Sequence, residues 1–191
     1  MTKHIMVDIE TLSTKQEATI VSIRATAFDI HKSVDLVSFV DDNDQFTDNV
    51  FYTAVDVEGQ KGVRHVCEDT IGWWQRQTPE ARAVFKDPER LGLEEALVKF
   101  GEFCEESGAK IVWCNGATFD HPILSHAFDQ FGMKYPFQYY NQFDMRTLKF
   151  ICKKAGNVGS DMNGFVAHNA AWDCIKQTIY TVEMLNRVSV K

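Results

Sequence analysis

The chain has 191 residues, of which 45% are apolar and 25% are charged, and its formal net charge is −7. This length and composition predict one globular domain over residues 1–191 with a full hydrophobic core. The acidic charge argues against a protein that wraps long duplex DNA by neutralising many phosphates. It is compatible with an enzyme that grips a few nucleotides, because bound cations can supply positive charge locally.

Cysteine usage and hydropathy indicate the compartment. The five cysteines are odd in number and form no CxxC pair. They predict reduced, buried thiols in a cytoplasm, rather than a disulfide framework or a zinc site. The first residues predict no signal peptide, and no stretch approaches the ~20 apolar residues of a membrane span. We therefore expect a cytoplasmic protein without a membrane partner.

The hydrophobic patterns predict alternating strands and helices. In chain order, we predict strands at His4–Ile9, Thr19–Ile30 and Val34–Val40, helices at Thr70–Gln77 and from Thr78, a helix at Leu93–Glu106, a strand at Lys110–Cys114, and helices at Pro122–Phe131, Arg146–Lys154 and Ala170–Leu185. Asp69 is the predicted cap of the first helix, and Thr78 followed by Pro79 begins the second. Residues 155–163 are predicted to form a loop. This order predicts an α/β fold with a mixed sheet.

Acidic residues follow two of the predicted strands. Asp8 and Glu10 are two positions apart at the end of the first strand, so their side chains point to the same face. Two carboxylates in this position repel each other unless a cation such as Mg²⁺ or Mn²⁺ lies between them. Asp120 comes six residues after the Lys110–Cys114 strand, and strand carboxyl ends are where chemistry gathers in α/β sheets. The alternatives are a solvated strand end for the first pair and an ordinary helix cap for Asp120.

A histidine and an aspartate surround the start of the last predicted helix. Asp173 would lie in its first turn, where the helix dipole favours an anion. His168 lies five residues earlier, on the preceding loop. Alone, the pair is equally compatible with a capping aspartate and a loop histidine.

Taken together and in this order, Asp8 and Glu10, then Asp120, then His168 and Asp173 resemble the DEDDh 3′-5′ exonuclease superfamily. The histidine five residues before the last aspartate is the mark of the DEDDh branch. Further stretches resemble the exonuclease A group of T-even bacteriophages and, more loosely, the ribonuclease AS group of mycobacteria. These stretches are residues 70–74, 79–82, 113–116, 119–124, 141–146 and 164–168. The resemblance covers nearly the whole chain and implies a ribonuclease H-like fold with a mixed five-stranded sheet flanked by helices.

The resemblance also implies a mechanism. Four carboxylates, those of Asp8, Glu10, Asp120 and Asp173, would hold two Mg²⁺ ions, for which Mn²⁺ can substitute, and His168 would be the general base. The reaction would release nucleoside 5′-monophosphates from the 3′ end of a nucleic-acid strand. A histidine suits the role of base because its ordinary pKa is near neutrality.

Several further residues are candidate substrate contacts. By resemblance, the backbone at Thr11 and the side chain of Leu12 would meet the terminal nucleotide, although a plain loop is an equal alternative. Trp73 and Trp74 are stacking candidates, of which at most one can stack while the other packs in the core. For Arg146 we favour bracing of the site through Asp144 over a phosphate contact.

Other positions and alternatives remain open. Arg24 stands where related sequences often carry a small residue, and a surface change is favoured over a contact with a phosphate or carboxylate. His121 is a rival general base. Single-stranded DNA is the favoured substrate and RNA is the alternative, with a non-catalytic nucleic-acid-binding module as a remote third reading. A homodimer is one assembly that the sequence leaves open.

Overall fold

The computed structural model of the protein describes residues 3–43, 45–154 and 170–189. Within these ranges the chain forms a five-stranded sheet and six α-helices. The strands are β1 (Lys3–Thr11), β2 (Ile20–Asp29), β3 (Val50–Ala54), β4 (Ile111–Cys114) and β5 (Gln142–Asp144). The helices are α1 (Glu68–Gln75), α2 (Pro79–Arg82), α3 (Leu93–Ser107), α4 (Asp120–Gln130), α5 (Met145–Lys154) and α6 (Ala170–Ser189).

Strand β1 lies at the centre of the sheet, whose order is β3-β2-β1-β4-β5. It pairs antiparallel with β2 and parallel with β4, so the sheet is mixed, as the sequence predicts. Its side chains alternate between the two faces of the sheet. Ile5, Val7 and Ile9 belong to one hydrophobic cluster and Met6 to another. Asp8 and Glu10 therefore lie on the same face of the sheet as Met6.

The first hydrophobic cluster is formed by the sheet with α3 and α4. Phe100 of α3 is completely buried, and its ring lies 5.8 Å from that of Phe51 and 6.3 Å from that of Phe128, centroid to centroid. The helix forms because its apolar residues recur at helical spacing, and Gly108 ends it with a left-handed backbone at φ 68°. This layer fixes the start of α4, and with it the position of Asp120.

Phe100→Ala is expected to lower the free energy of unfolding by about 3–5 kcal/mol, because it opens a cavity among packed aromatic rings. Val98, two positions earlier on the same helix, is 43% exposed. Val98→Ala is the matched control and should change stability by less than about 0.5 kcal/mol. Urea unfolding followed by circular dichroism measures both. Similar losses in the two variants would contradict the assignment of Phe100 to the core.

The second hydrophobic cluster packs α5 and α6 against the opposite face of the sheet. Ile175 of α6 is completely buried there, and the Cys174 thiol donates to the Met6 carbonyl at 3.4 Å. The hydroxyls of Thr26 and Thr178 also share a hydrogen bond between β2 and α6. These contacts fix how α6 lies across β1 and β2, and they bring its first two turns to the part of the sheet that carries Asp8.

One predicted strand is wrong. Residues 34–40 form a short 3-10 helix at Leu36–Ser38. The Ser38 hydroxyl accepts from the backbone N–H of Asp35 at 3.3 Å and donates to the Asp35 carboxylate at 3.1 Å. Val37 is 74% exposed, although Phe39 is buried. Local hydrogen bonds from Asp and Ser side chains compete with a strand ladder here. The third strand is instead Val50–Ala54, which pairs with β2.

Smaller differences concern helix starts and the fifth strand. Cys67, rather than Asp69, occupies the cap position of α1, and Asp69 lies in the first turn. The Thr78 hydroxyl caps α2 by accepting from the Ala81 amide at 3.2 Å, as predicted. The fifth strand, β5, is only three residues long, and its sequence shows no strand pattern. The loop predicted at 155–163 lies outside the described residues.

The part of the chain that the structure describes contains no helix with the length and apolar character needed to cross a membrane.

Candidate active site

Two carboxylates project from the end of β1 toward α6. Asp8 and Glu10 lie on the same face of the strand, and each places one oxygen 3.4 Å from the Nη1 atom of Arg24. Arg24 is the direct neighbour of Asp8 across the β1–β2 ladder, and Ser22 is the neighbour of Glu10. The Arg24 Nη2 atom donates to the Ser22 hydroxyl at 3.0 Å. The strand register therefore sets this cluster.

Arg24 corrects one interpretation of the sequence. The favoured reading was a surface change, but the residue is only 1% exposed and its guanidinium contacts two of the predicted site carboxylates. The Tyr52 ring covers it, with the guanidinium carbon 5.7 Å from the ring centroid. Tyr52 is the neighbour of Arg24 on β3. A buried arginine needs partners of this kind, because its charge is costly to remove from water.

Asp120 reaches the same place from the opposite side of β1. It begins α4, is 4% exposed, and its Oδ1 atom accepts from the backbone N–H of Ile9 at 3.1 Å. Ile9 separates Asp8 from Glu10, so the hydrogen bond ties the start of α4 to the strand between the two acidic residues. Asp120 is thus more than a helix cap, because it is bonded across 111 residues of sequence.

The last helix contributes an aspartate and a glutamine. Asp173 lies in the first turn of α6, as predicted, and its side chain is 45% exposed. A lysine one turn along, Lys176, lies 3.8 Å from it. Gln177 donates to the Oδ1 atom of Asp8 at 3.1 Å. The sequence analysis did not identify Gln177 as a site residue. The available signal was its position four residues after Asp173, which places both side chains on one face of the helix.

Burial and mutual repulsion raise the pKa values of the clustered acids. The pKa of Asp120 is raised to about 8, first by burial and then by the charge of Asp8. That of Glu10 is raised to about 7, again by burial and by Asp8, while Arg24 opposes the change. Burial also raises the pKa of Asp8, to which the charge of Asp173 adds. Arg24 alone therefore does not neutralise the cluster.

The donor set has the chemistry of a divalent-cation site. Carboxylate oxygens are the ligands that Mg²⁺ and Mn²⁺ prefer, and a cation would relieve the repulsion that raises these pKa values. The Oε1 atom of Gln177 is buried beside Asp8 without a hydrogen-bond partner. In the described residues, however, no three His, Cys, Asp or Glu side chains are arranged so that they could hold a metal ion. The guanidinium of Arg24 lies against two of the oxygens concerned.

The general base predicted at His168 lies outside the described residues, so its role stays a prediction. The rival base, His121, is only 1% exposed. Its two ring nitrogens contact the Tyr135 hydroxyl at 3.1 Å and the Cys114 thiol at 3.3 Å. Burial lowers its pKa to about 4. A ring with both nitrogens engaged in the core cannot reach an attacking water, so we discard His121 as the base.

The two tryptophans separate into a buried and an exposed ring. Trp74 is 6% exposed, its ring packs edge-on against Phe85, and its Nε1 donates to the Thr11 carbonyl at 2.9 Å. Because its ring is enclosed, Trp74 cannot stack on a base. Trp73 is 45% exposed and stays the stacking candidate. The Trp74 bond fixes the backbone directly after Glu10.

The predicted contacts at Thr11 and Leu12 lie beside the carboxylates. Thr11 ends β1 at an irregularity in its pairing with β2, and its hydroxyl donates to the Ser13 carbonyl. Leu12 is half-buried and packs against a small cluster that includes Trp74. Both positions are next to Glu10, but their contact with a nucleotide stays a prediction.

Arg146 braces the structure in a different way from the one predicted. Its backbone N–H, rather than its guanidinium, donates to Asp144 at 3.1 Å. Asp144 thereby caps the start of α5, and it also accepts from the Thr147 hydroxyl at 2.9 Å. The guanidinium lies over Gly116, 3.2 Å from where a Cβ atom would be. Gly116 has φ 131°, so this position requires glycine both for the backbone and for the close approach.

Comparison with known proteins supports the exonuclease resemblance. The chain is 26% identical over 199 residues to a protein named exodeoxyribonuclease from Enterobacteria phage T4, covering 91% of this chain and 85% of the relative. Among solved structures, E. coli exonuclease I in complex with a dT13 oligonucleotide matches with a TM-score of 0.63 at 11% identity. The dA16 complex of the same enzyme matches with a TM-score of 0.65 at 12% identity.

These structures show the fold, and they confirm the ribonuclease H-like α/β architecture. They cover 100% and 98% of this chain, which spans only 41% of exonuclease I in either case. The family described as the Rv2179c-like 3′-5′ exoribonuclease domain matches residues 3–185. Because that match takes in nearly the whole chain, the protein belongs to the Rv2179c-like domain family and is a 3′-5′ exonuclease.

Proposed function

We propose that the protein, as one domain over residues 1–191, hydrolyses single-stranded DNA from its 3′ end to nucleoside 5′-monophosphates with two bound divalent cations. The observation that carries the proposal is the cluster of the half-buried Asp8 and Glu10 with the buried Asp120, beside Asp173 on α6. Its members have raised pKa values and so call for more positive charge than Arg24 supplies. Mg²⁺ is the proposed ion, with Mn²⁺ as a substitute.

The proposed roles are those that the resemblance to the DEDDh superfamily implies for these side chains. Asp8, at the centre of the cluster, would hold the cations together with the other three carboxylates. Glu10 and Asp173 would complete the site of the attacking water, and Asp120 would support the second cation. Bound divalent cations lower the pKa of a coordinated water and stabilise the leaving 3′ oxygen. His168 would take the proton from that water, and Gln177 holds Asp8 in place.

A groove of about 780 Å³, lined in part by the Tyr52 ring that covers Arg24, is the proposed path of the nucleic-acid strand. Phe46, Tyr52, Arg82 and Lys86 line it together with acidic residues. Exposed aromatic rings and cations are the groups that bind single strands without sequence preference. Tyr52 connects the groove to the cluster, because its ring covers Arg24.

DNA is proposed over RNA because the phage T4 relative is named an exodeoxyribonuclease and matches 91% of the chain. The second candidate is a 3′-5′ exoribonuclease, which the description of the family favours. The difference depends on how the site treats the 2′-OH of the terminal nucleotide.

A product assay tests the proposal. Three 5′-labelled oligonucleotides of the same sequence are offered with Mg²⁺ or Mn²⁺: all DNA, all RNA, and DNA that ends in one 3′ ribonucleotide. We expect the DNA to give a ladder that shortens from the 3′ end, and RNA to react more slowly. Faster cleavage of RNA would establish the second candidate. Internal cuts, or full activity in EDTA, would contradict both.

The exposed tryptophan gives a prediction about substrate binding. Trp73→Ala is expected to raise KM by roughly 5- to 150-fold and to change kcat less, because stacking on a base contributes about 1–3 kcal/mol. Its ring lies 5.1 Å from that of Trp74, which is bonded to Thr11 beside the carboxylates.

The matched control is Tyr139→Ala, which removes an aromatic ring that is 82% exposed and lies before β5. Steady-state kinetics on a short DNA strand should show no change in this variant. An unchanged KM in Trp73→Ala would remove Trp73 from the substrate path.

A further inference from the structure

Arg24 is a permanent positive charge inside the proposed metal site. Its side chain is 2% exposed, and its Nη1 atom lies 3.4 Å from an oxygen of Asp8 and 3.4 Å from one of Glu10. A guanidinium carries a positive charge in a protein, so Arg24 places that charge directly against the two carboxylates. Two of the oxygens that would bind a divalent ion therefore already face a cation.

The surroundings of Arg24 hold it there. The strand register places it between Asp8 on β1 and Tyr52 on β3, and Ser22 accepts from its Nη2 atom at 3.0 Å. Its Nε atom is buried without a hydrogen-bond partner. An unpaired buried donor is costly, and the hydrogen bonding of the guanidinium is therefore incomplete. Its contacts with the two carboxylates and with the Tyr52 ring hold it in place.

The charges of the cluster show what Arg24 would do to metal binding. The four carboxylates carry four negative charges when ionised, which two dications would cancel. With Arg24 present, two dications leave the cluster with an excess positive charge. Charges a few ångströms apart interact strongly even at the effective dielectric constant of a protein, so the guanidinium opposes the binding of cations to the same oxygens.

We propose that Arg24 is a positioning residue that keeps Asp8 and Glu10 together as a fixed counter-ion and, in doing so, weakens the binding of divalent cations to the site. The inference rests on the proposed metal-dependent function. It means that the exonuclease needs a higher cation concentration than the same site would need without this guanidinium.

The experiment compares Mn²⁺ binding in the wild type, Arg24→Met and Arg64→Met. Arg64 is a second buried arginine, 5% exposed, but it bonds to the Ala18 carbonyl and to Gln130, away from the cluster. Calorimetric titration and the Mn²⁺ concentration that half-maximally raises Tm are the two readouts. We expect this concentration to fall by about tenfold or more in Arg24→Met and to stay at the wild-type value in Arg64→Met.

Two more variants separate charge from packing. Arg24→Lys keeps the charge and should bind Mn²⁺ much as the wild type does; a fall as large as that of Arg24→Met would overturn the charge argument. Arg24→Gln removes the charge but keeps a donor for the carboxylates, and it replaces Arg24→Met if that variant does not fold.

The outcomes distinguish the two proposals. Equal or weaker Mn²⁺ binding in the neutral variants, with clear binding by the wild type, overturns the role of Arg24 and leaves the proposed function intact. No response to Mn²⁺ in any variant or in the wild type overturns the metal-dependent mechanism and, with it, the role of Arg24.

Discussion

Asp8→Asn is expected to abolish turnover, with a fall in kcat of more than about 10³-fold. Loss of a group that merely supports a metal ligand costs roughly 10- to 100-fold, and Asp8 is the proposed central ligand itself. The amide keeps the shape of the side chain but removes one negative charge and one oxygen. Asp8 lies within reach of both Arg24 and Gln177, so its loss also disturbs the residues that hold the cluster together.

The matched control for this prediction is Asp129→Asn. Asp129 is exposed on α4, the helix that Asp120 begins, and the substitution is the same in chemistry. Degradation of 5′-labelled DNA should proceed at the wild-type rate in the control and be absent in Asp8→Asn. Circular dichroism checks that both variants are folded. Substantial 3′-5′ degradation by a folded Asp8→Asn protein would contradict the proposed mechanism.

The positions of the main acidic residues could be predicted because each depends on local sequence. Asp8 and Glu10 follow an apolar run that reads as a strand, and strand alternation alone puts them on one face. Asp120 and Asp173 lie in first turns of helices, whose starts have recognisable patterns. What brings these segments together is the order of the strands in the sheet, which only the structure gives. The superfamily resemblance implied a mixed five-stranded sheet, and the structure confirms that part.

Arg24 could not be predicted in its role, because burial of a charge is a tertiary property. An arginine in a β-branched strand reads as an exposed position of an alternating pattern. Only the register of β2 against β1 and β3 shows that it faces two carboxylates and an aromatic ring. Gln177 is similar, since its contact with Asp8 depends on how α6 lies across the sheet.

The position of the third strand could not be predicted from the sequence for a different reason. Residues 34–40 and 50–54 both contain β-prone side chains, and β propensity reflects packing on a sheet more than backbone preference. The Asp35–Ser38 hydrogen bonds favour a short helical turn in the first segment, whereas the second can pair with β2. Sequence composition alone does not decide between two such segments, because the deciding contact is with a strand 24 or more residues earlier.

His168→Ala is expected to lower kcat by roughly 10²- to 10⁴-fold, the usual contribution of a general base, and to change KM little. Because the imidazole is not a proposed metal ligand, the Mn²⁺ concentration that half-maximally raises Tm should equal that of the wild type. His31→Ala removes an exposed histidine next to β2 and is the matched control, which should keep the wild-type rate.

The pH dependence separates His168 from the carboxylates. A base acts when it is unprotonated, so the wild-type rate should fall as the pH is lowered into the range in which an imidazole takes up a proton. Glu10 and Asp120 have raised pKa values of about 7 and about 8, and their protonation would also lower the rate in acid. Saturating Mn²⁺ keeps the carboxylates ionised, so the profile measured there should isolate the histidine. Under these conditions His168→Ala should lose the acidic limb, and a variant that keeps both the wild-type rate and the limb would exclude His168 as the base.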